Sequence, residues 1–355
     1  MAALTGPAPY IYVGTRLRVR KTKLIPREEY LRMLNMSLPE ITRLIQETEY
    51  KREIDELATS FGGINLIEVA LSWNLAKTYQ NVLAILPAGL KEMTESYLRR
   101  WDIQNVLTIL RGKAQGLAPG RIKEVLIPAG ELDRVTLDRL LAVPSPEKIV
   151  EALKGWRLYP VLLREYKRSV ETDSFAHLEN ELYKQLYAEI IADTQAGVRG
   201  GREFLGYVKL EIDIRNLQNL FRLREQRERG DITGFMIPGG SFTIEELQQL
   251  AAIETLQEFL DILRRHVRNK PLLAVIEDAI ARGLFQQHNL HEVEIALTRV
   301  QLRQMEFMAK LHPFTIWPIL DFLELKKYEI FNLRAITRGK ESNLPTERIK
   351  NYLVM

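Results

Sequence analysis

Apolar residues recur along this chain at the spacing of α-helices. Between Tyr97 and Lys113 they fall three, four and seven positions apart, as on one face of a helix. These residues are Ile103, Val106, Leu107 and Leu110. The segment from Asn65 to Leu86 has the same character, and Pro87 and Gly89 mark a turn after it. Few windows alternate with a period of two, so the pattern predicts an all-α protein made of helical bundles.

A polar pattern interrupts the apolar one at three places. An acidic residue, Ile, any residue and Asn follow one another, and an Arg comes six positions after each Asn. The three sets are Asp102, Asn105 and Arg111; Asp213, Asn216 and Arg222; and Glu329, Asn332 and Arg338. A period of more than a hundred residues indicates a repeated domain, because solenoid repeats run about 20–50 residues.

The sequences around these patterns repeat as well. A Glu in an apolar context, at Glu68, Glu179 and Glu294, precedes the three Asn residues at nearly constant distance. The first two copies end alike, in Ile127-Pro128-Ala129-Gly130 and Ile237-Pro238-Gly239-Gly240, and the third stops where this element would begin. Since Pro and Gly redirect a chain, we interpret the element as a joint between domains. We therefore expect a tail at residues 1–9 and domains at 10–129, 130–240 and 241–355.

A weaker match concerns helix starts. Leu38-Pro39-Glu40, Ser145-Pro146-Glu147 and Thr243-Ile244-Glu245 all resemble capped first turns. We expect these three starts to occupy the same place in each copy.

The repeated polar residues have two interpretations. The acid and the Asn lie three positions apart and share one helix face, so they form either a repeated binding spot or a contact between helices. The second is favoured, since buried polar pairs usually specify packing, and the same holds for the three Glu residues. The basic helix ends suit the helix dipole, but they could also meet a partner. The candidate partner contacts are Arg111, Lys113, Arg222, Arg224, Arg338 and Lys340.

Composition narrows the classes of protein. The chain has no cysteine, which excludes disulfides and thiolate metal sites. Its net charge of +4 comes from many charges of both signs and neither requires nor excludes an anionic partner. We expect no signal peptide between Met1 and Tyr10, and no segment approaches the ~20 apolar residues that span a bilayer.

The sequence contains few candidates for a catalytic, metal or nucleotide site. Gly62-Gly63 and Gly200-Gly201 lack the spacing of a phosphate-binding loop. The pair His288 and His291 has ligand-like spacing but no partners elsewhere, so we expect no metal, no cofactor and no catalytic residue. Basic runs around Arg18 and Arg224 lack aromatic stacking partners, which argues against a nucleic-acid module.

Several of these residues resemble one known family. They include Tyr12-Val13-Gly14-Thr15-Arg16, the joints, and helices that end in Arg111-Gly112-Lys113 and Arg338-Gly339-Lys340. Together with the threefold repeat, they resemble the C subunit of archaeal and bacterial A-type (V-type-like) ATP synthases, whose counterpart in the eukaryotic V-ATPase is the d subunit. The second copy departs from this pattern at Arg222-Leu223-Arg224, so a turn that depends on Gly is not expected there.

The resemblance implies three similar helical-bundle domains in a pseudo-threefold funnel. It implies one copy per complex, peripheral to the membrane on its cytoplasmic face. There the protein would join the central shaft, made of D- and F-type subunits, to the proteolipid rotor ring. It would carry no catalytic residue while the complex couples proton or sodium flow to ATP synthesis or hydrolysis.

Two other functions remain open from the residues alone. One is a helical scaffold or adapter, either for another assembly or for RNA. The other is an enzyme with a site in a central cleft, in which His288 and His291 would be the residues to test.

Overall fold

The computed structural model describes residues 8–172, 174–195, 200–226, 230–267, 269–285 and 289–355. These residues form α-helices, with one 3-10 turn at Thr233–Phe235 and no strand among them, which confirms the predicted all-α class. The first copy contains α1 Ala8–Lys21, α2 Arg27–Met33, α3 Leu38–Gln46, α4 Lys51–Leu57, α5 Gly63–Leu83, α6 Ala88–Leu98, α7 Arg100–Ala114 and α8 Pro119–Lys123.

The next two copies repeat the order from α2 onward, with one long helix in place of α6 and α7. The second contains α9 Arg134–Ala142, α10 Pro146–Ala152, α11 Tyr159–Glu171, α12 Ala176–Gln195 and α13 Gly201–Glu225. The third contains α14 Ile244–Ala252, α15 Leu256–His266, α16 Lys270–Ala281, α17 Leu290–Leu311, α18 Trp317–Glu341 and α19 Thr346–Asn351. The helix predicted from Tyr97 is interrupted at Arg99, whereas α13 and α18 run through the corresponding place as single helices of 25 residues.

The described helices divide between two compact units, Met1–Leu163 with Met308–Met355, and Arg164–Phe307. In the first unit, α18 packs along α5 and also touches α1, α2 and α3. A helix from the third copy therefore completes the core of the first copy. The sequence repeat and the compact units divide the chain differently for this reason, and the three predicted domain ranges remain a prediction.

The second unit has its own core around α13. The ring of Phe221 lies 6.0 Å from that of Phe259 and 4.9 Å from that of Phe285, measured between centroids. Leucines of α13, α14, α15 and α17 surround these rings and are almost fully buried. Burial of this many apolar side chains is the main force that holds the unit together.

No helix in the described parts of the chain is both long enough and apolar enough to cross a membrane.

Candidate functional site

The three repeated asparagines do the same structural task. Each carboxamide donates to a backbone carbonyl and accepts from the backbone N–H of the same residue, 21 or 22 positions further along. The pairs are Asn105 with Ile127 (2.7 and 2.9 Å), Asn216 with Ile237 (2.8 and 2.8 Å), and Asn332 with Val354 (2.8 and 2.8 Å). Asn105 and Asn216 therefore hold the joint against the long helix, and Asn332 holds Val354 in the same way. The expected contact between helices is corrected to a contact between a helix and the segment that follows it.

The acidic residue of each pattern holds the chain beyond the joint. Both Asp102 carboxylate oxygens accept backbone N–H groups, from Glu131 and Leu132, at 2.9 Å each. In the second copy Asp213 accepts the backbone N–H of Ser241 at 2.7 Å. The acids thus fix the segment that opens the following copy.

The last glycine of each joint makes this contact possible. A Cβ atom on Gly130 would lie 2.2 Å from Asp102 Oδ1, and one on Gly240 would lie 2.3 Å from Asp213 Oδ1. Only a residue without a side chain leaves room for the carboxylate at that place.

Replacing Gly130 by Ala should therefore displace the Asp102 carboxylate and destabilise the first unit by about 1–3 kcal/mol, the usual cost of overpacking. Urea unfolding followed by tryptophan fluorescence measures this change. Gly155→Ala is the matched control, because a Cβ there meets nothing within 4 Å. Equal effects of the two substitutions would show that the close approach of Asp102 does not constrain the joint.

The third copy closes onto the beginning of the first. Glu329 Oε2 accepts the backbone N–H of Ile25 at 2.6 Å, just before α2. Its Oε1 accepts the Tyr50 hydroxyl at 2.5 Å and Lys326 Nζ at 2.6 Å. Lys326 and Glu329 are both almost fully buried. The acids therefore act in a cycle, in which each copy holds the opening of the next and the third copy holds that of the first.

The segments held by Asp102 and Asp213 show that one predicted match between helix starts, that of Thr243 with Ser145, is wrong. All three predicted starts begin helices, with Thr243 as the N-cap of α14. However, α14 follows the segment held by Asp213 just as α9 follows the segment held by Asp102. Thr243 therefore corresponds to Asp133, the N-cap of α9, and the true counterpart of the Ser145 start is Thr255, the N-cap of α15.

Two of the three repeated glutamates form ion pairs between helices. Glu68 Oε1 lies 2.7 Å from Arg338 Nε, and its Oε2 lies 2.8 Å from Arg334 Nε. Glu294 Oε1 lies 2.7 Å from an Arg222 Nη. Glu68 of the first copy thus pairs with arginines of the third copy, and Glu294 of the third copy pairs with an arginine of the second. The interpretation as contacts between helices is confirmed for these two residues.

The structure places the six candidate partner contacts at helix ends. Arg222 and Arg338 keep about half of their side chains exposed while paired. Arg224 instead caps α14, since Nη1 donates to the carbonyls of Leu250 and Ile253 at 3.2 and 2.5 Å. The other three, Arg111, Lys113 and Lys340, lie partly buried in the last turns of α7 and α18. Their role as partner contacts remains a prediction.

The glycines of the Arg-Gly-Lys sequences have a different role from the expected turn. Gly112 lies inside α7 and Gly339 inside α18. A Cβ on Gly112 would lie 2.7 Å from Ile122 of the short helix α8. A Cβ on Gly339 would lie 2.6 Å from Ile349 of the short helix α19. The second copy has a 3-10 turn in place of that short helix, so Leu223 fits there. The helices actually turn at Gly116 and Asn343, where φ is positive.

A buried charge network surrounds α18. Glu324 is fully buried, accepts the Tyr97 hydroxyl and lies 2.5 Å from Lys327 Nζ. Burial by itself lowers the pKa of Lys327, but the charges of Glu324 and Tyr328 outweigh it and raise that pKa above its usual value. Lys21 of α1 adds an ion pair of 3.0 Å with Asp321. Charged contacts thus join α18 to helices of the first copy.

Burial makes Asp102 sensitive to pH. It raises the pKa of the carboxyl from 3.8 to about 7, although hydrogen bonds from Leu132 and Glu131 act in the opposite direction. Burial raises the pKa of Asp213 in the same way. Because the folded pKa lies above the unfolded one, Asp102 favours the folded state at low pH, and this contribution is lost as the pH rises from about 4 to 7.

We therefore expect the wild-type chain to lose stability relative to Asp102→Asn between pH 4 and pH 8. The difference is at most on the order of 4 kcal/mol for a shift of this size. Urea unfolding of both proteins at several pH values measures it. Parallel pH profiles would contradict the burial argument.

The histidine pair gains no support as a metal site. His288 lies outside the described residues, and no described set of three or more His, Asp or Glu side chains could hold a metal ion. Near His291, Glu292 is engaged by Arg282 at 2.9 Å and by Asn289 at 2.5 Å.

Comparison with known proteins shows which family this chain resembles along its length. The family model described as ATP synthase (C/AC39) subunit matches residues 13–352. The A-type ATP synthase C subunit of Methanosarcina mazei is 38% identical over 354 residues, covering 99% of this chain and 94% of its own. The C subunits of Archaeoglobus fulgidus (33% identical; 98% and 97% covered) and Haloferax volcanii (31%; 99% and 99%) are similar along nearly their whole lengths.

Subunits of this family are structural parts of a membrane-associated ATP synthase and are not themselves catalytic. The matched range includes all three copies of the polar pattern, from Asp102 to Arg338. The chain belongs to the C/AC39 subunit family of ATP synthases.

Proposed function

We propose that this chain is the central-stalk component that joins the shaft of an A-type ATP synthase to its proteolipid ring. In this role it transmits torque between ion translocation and ATP synthesis or hydrolysis. It would lie peripherally on the cytoplasmic face, in one copy, between D- and F-type shaft subunits and the ring. Family membership and the cyclic contacts of the three copies support the proposal.

The observation that carries the proposal is the bond from the backbone N–H of Ile25 to Glu329. It links residues 304 positions apart and joins the last copy to the opening of the first. A connector between rotating parts must resist twisting, because a soft one would store the twist. Buried, fully paired polar contacts supply that stiffness, since breaking one leaves groups without partners in a medium of low polarity.

The six basic helix-end residues are our proposed contacts with partner subunits. Arg222 and Arg338 are the best placed, since they are half exposed although paired. An acidic partner group could share such an arginine, because a guanidinium has five N–H donors.

The experiment is reconstitution from purified parts. We expect the chain to bind both the isolated shaft and the isolated ring, and to show no ATP hydrolysis alone. A chain that binds neither part contradicts the proposal. Tight RNA binding that weakens steeply with salt would favour the alternative scaffold function instead.

A further inference from the structure

The first helix carries an apolar face that nothing in the described chain covers. Ile11, Tyr12 and Val19 of α1 are 50%, 53% and 56% exposed. The opposite face holds Val13 and Leu17, which are almost fully buried in the first unit. The helix is therefore anchored by one face and presents a second apolar face outward.

The exposed residues form a narrow strip along the helix. Ile11, Thr15 and Val19 follow one another at intervals of four, and Tyr12 lies beside them, three positions before Thr15. Residues three and four apart are neighbours on a helix surface, so these four form one continuous strip. The sequence Tyr12, Thr15, Val19 has the alternating three and four spacing of a coiled-coil seam.

Two exposed arginines flank this strip on opposite sides. Arg18 lies three positions after Thr15, beside Ile11, and Arg16 lies four positions after Tyr12. The Arg16 guanidinium lies 5.8 Å from the centroid of the Tyr12 ring. The helix contains no acidic residue at all. An apolar seam with like charges on both flanks is complementary to a helix with an apolar seam and acidic flanks.

We propose that the outer face of α1 is a docking site for an acidic amphipathic helix of a partner protein. The seam of Tyr12, Thr15 and Val19 would pack against the apolar side chains of that helix. Arg16 and Arg18 would pair with its flanking carboxylates and fix its position. This surface is separate from the proposed contacts at the helix ends and does not depend on the rotor role.

The shape of the strip favours a helix over a lipid surface. Helices that lie in a membrane interface bury a broad face, rich in Trp, Phe and Leu. The strip on α1 is one or two side chains wide and contains Thr15 at its centre. Its β-branched residues suit the close packing of two helices.

The test uses two fluorescent probe peptides of about four heptads, identical in their Ile and Leu seam. One carries Glu at the flanking positions and the other carries Lys, so that like charges keep each from pairing with itself. We expect the purified full chain to bind the Glu peptide at least about tenfold more tightly than the Lys peptide. Arg16→Glu together with Arg18→Glu should reverse this preference.

Val19→Asp should abolish binding of the Glu peptide. Val135→Asp, at an equally exposed valine of α9, is its control and should leave binding unchanged. Arg43→Glu together with Arg348→Glu, both exposed, is the control for charge and should not reverse the preference. Equal affinity for the two peptides, or no reversal in the α1 variant, overturns the proposal. Binding to phosphatidylglycerol vesicles but to neither peptide overturns it in favour of a membrane contact.

Discussion

Glu329→Ala is expected to lower the free energy of unfolding of the first unit by about 3–5 kcal/mol, the usual cost of removing one partner from a buried ion pair. The substitution leaves Lys326 buried without its carboxylate and the N–H of Ile25 without its acceptor. All four tryptophans of the chain, Trp73, Trp101, Trp156 and Trp317, belong to this unit. Tryptophan fluorescence during urea unfolding therefore reports on this change directly.

The matched control is Glu347→Ala. Glu347 pairs with Lys350 at the same spacing of three residues, but both side chains are well exposed, so its loss should cost less than about 1 kcal/mol. A double variant, Lys326→Met with Glu329→Gln, should recover much of the loss, because it removes the unpaired charge. A Glu329→Ala protein as stable as the control would mean that the closure contributes nothing to the fold.

Asn216→Ala should destabilise the second unit by about 2–4 kcal/mol, because it leaves two buried backbone groups of Ile237 unpaired. Asn219→Ala is the control on the same helix, since Asn219 makes a single exposed bond to the carbonyl of Phe235. Urea unfolding followed by circular dichroism gives the stabilities. Amide exchange at Ile237 gives the local effect.

Asn216→Asp removes one of the two hydrogen bonds between Asn216 and Ile237 and keeps the other. A carboxylate still accepts the N–H of Ile237 but faces its carbonyl oxygen without a donor. We expect a loss close to that of Asn216→Ala. A variant as stable as the wild type would show that the bond to the Ile237 carbonyl does not hold the joint.

Much of this framework could be predicted from the sequence. The helices follow from the apolar spacing, and the nearly constant distance from Asn105 and Asn216 to their joints indicated a structural role. The sequence could not show what the asparagine binds, because backbone groups leave no sign in the residue pattern. Asn105 and Asn332 make the same contact although Ile127 and Val354 lie in different sequences.

The sequence could not predict the contact between the third copy and the beginning of the first, and the reason is physical. Glu329 and Ile25 are 304 positions apart, and any residue other than proline supplies a backbone N–H. One signal was present, since the third pattern has Glu where the others have Asp, and the longer side chain reaches more partners. Tyr50 and Lys326, which complete that network, belong to no repeated motif.

The paired glutamates show the same limit. Their regular spacing indicated a common role, but Glu68 meets Arg338 over 270 positions of sequence. Only the packing of α18 on α5 brings the two together. The interruption at Arg99 was missed as well, because apolar periodicity continues through it.

The central claim is that this chain connects the shaft to the ring, and rotation of the assembled complex tests it most directly. A bead on the ring of an immobilised ATP synthase can be followed while ATP is added, with the chain present or omitted. We predict that ATP turns the ring only when the chain is present, while the catalytic head hydrolyses ATP in both cases. Rotation of the ring in complexes that lack the chain would contradict the account.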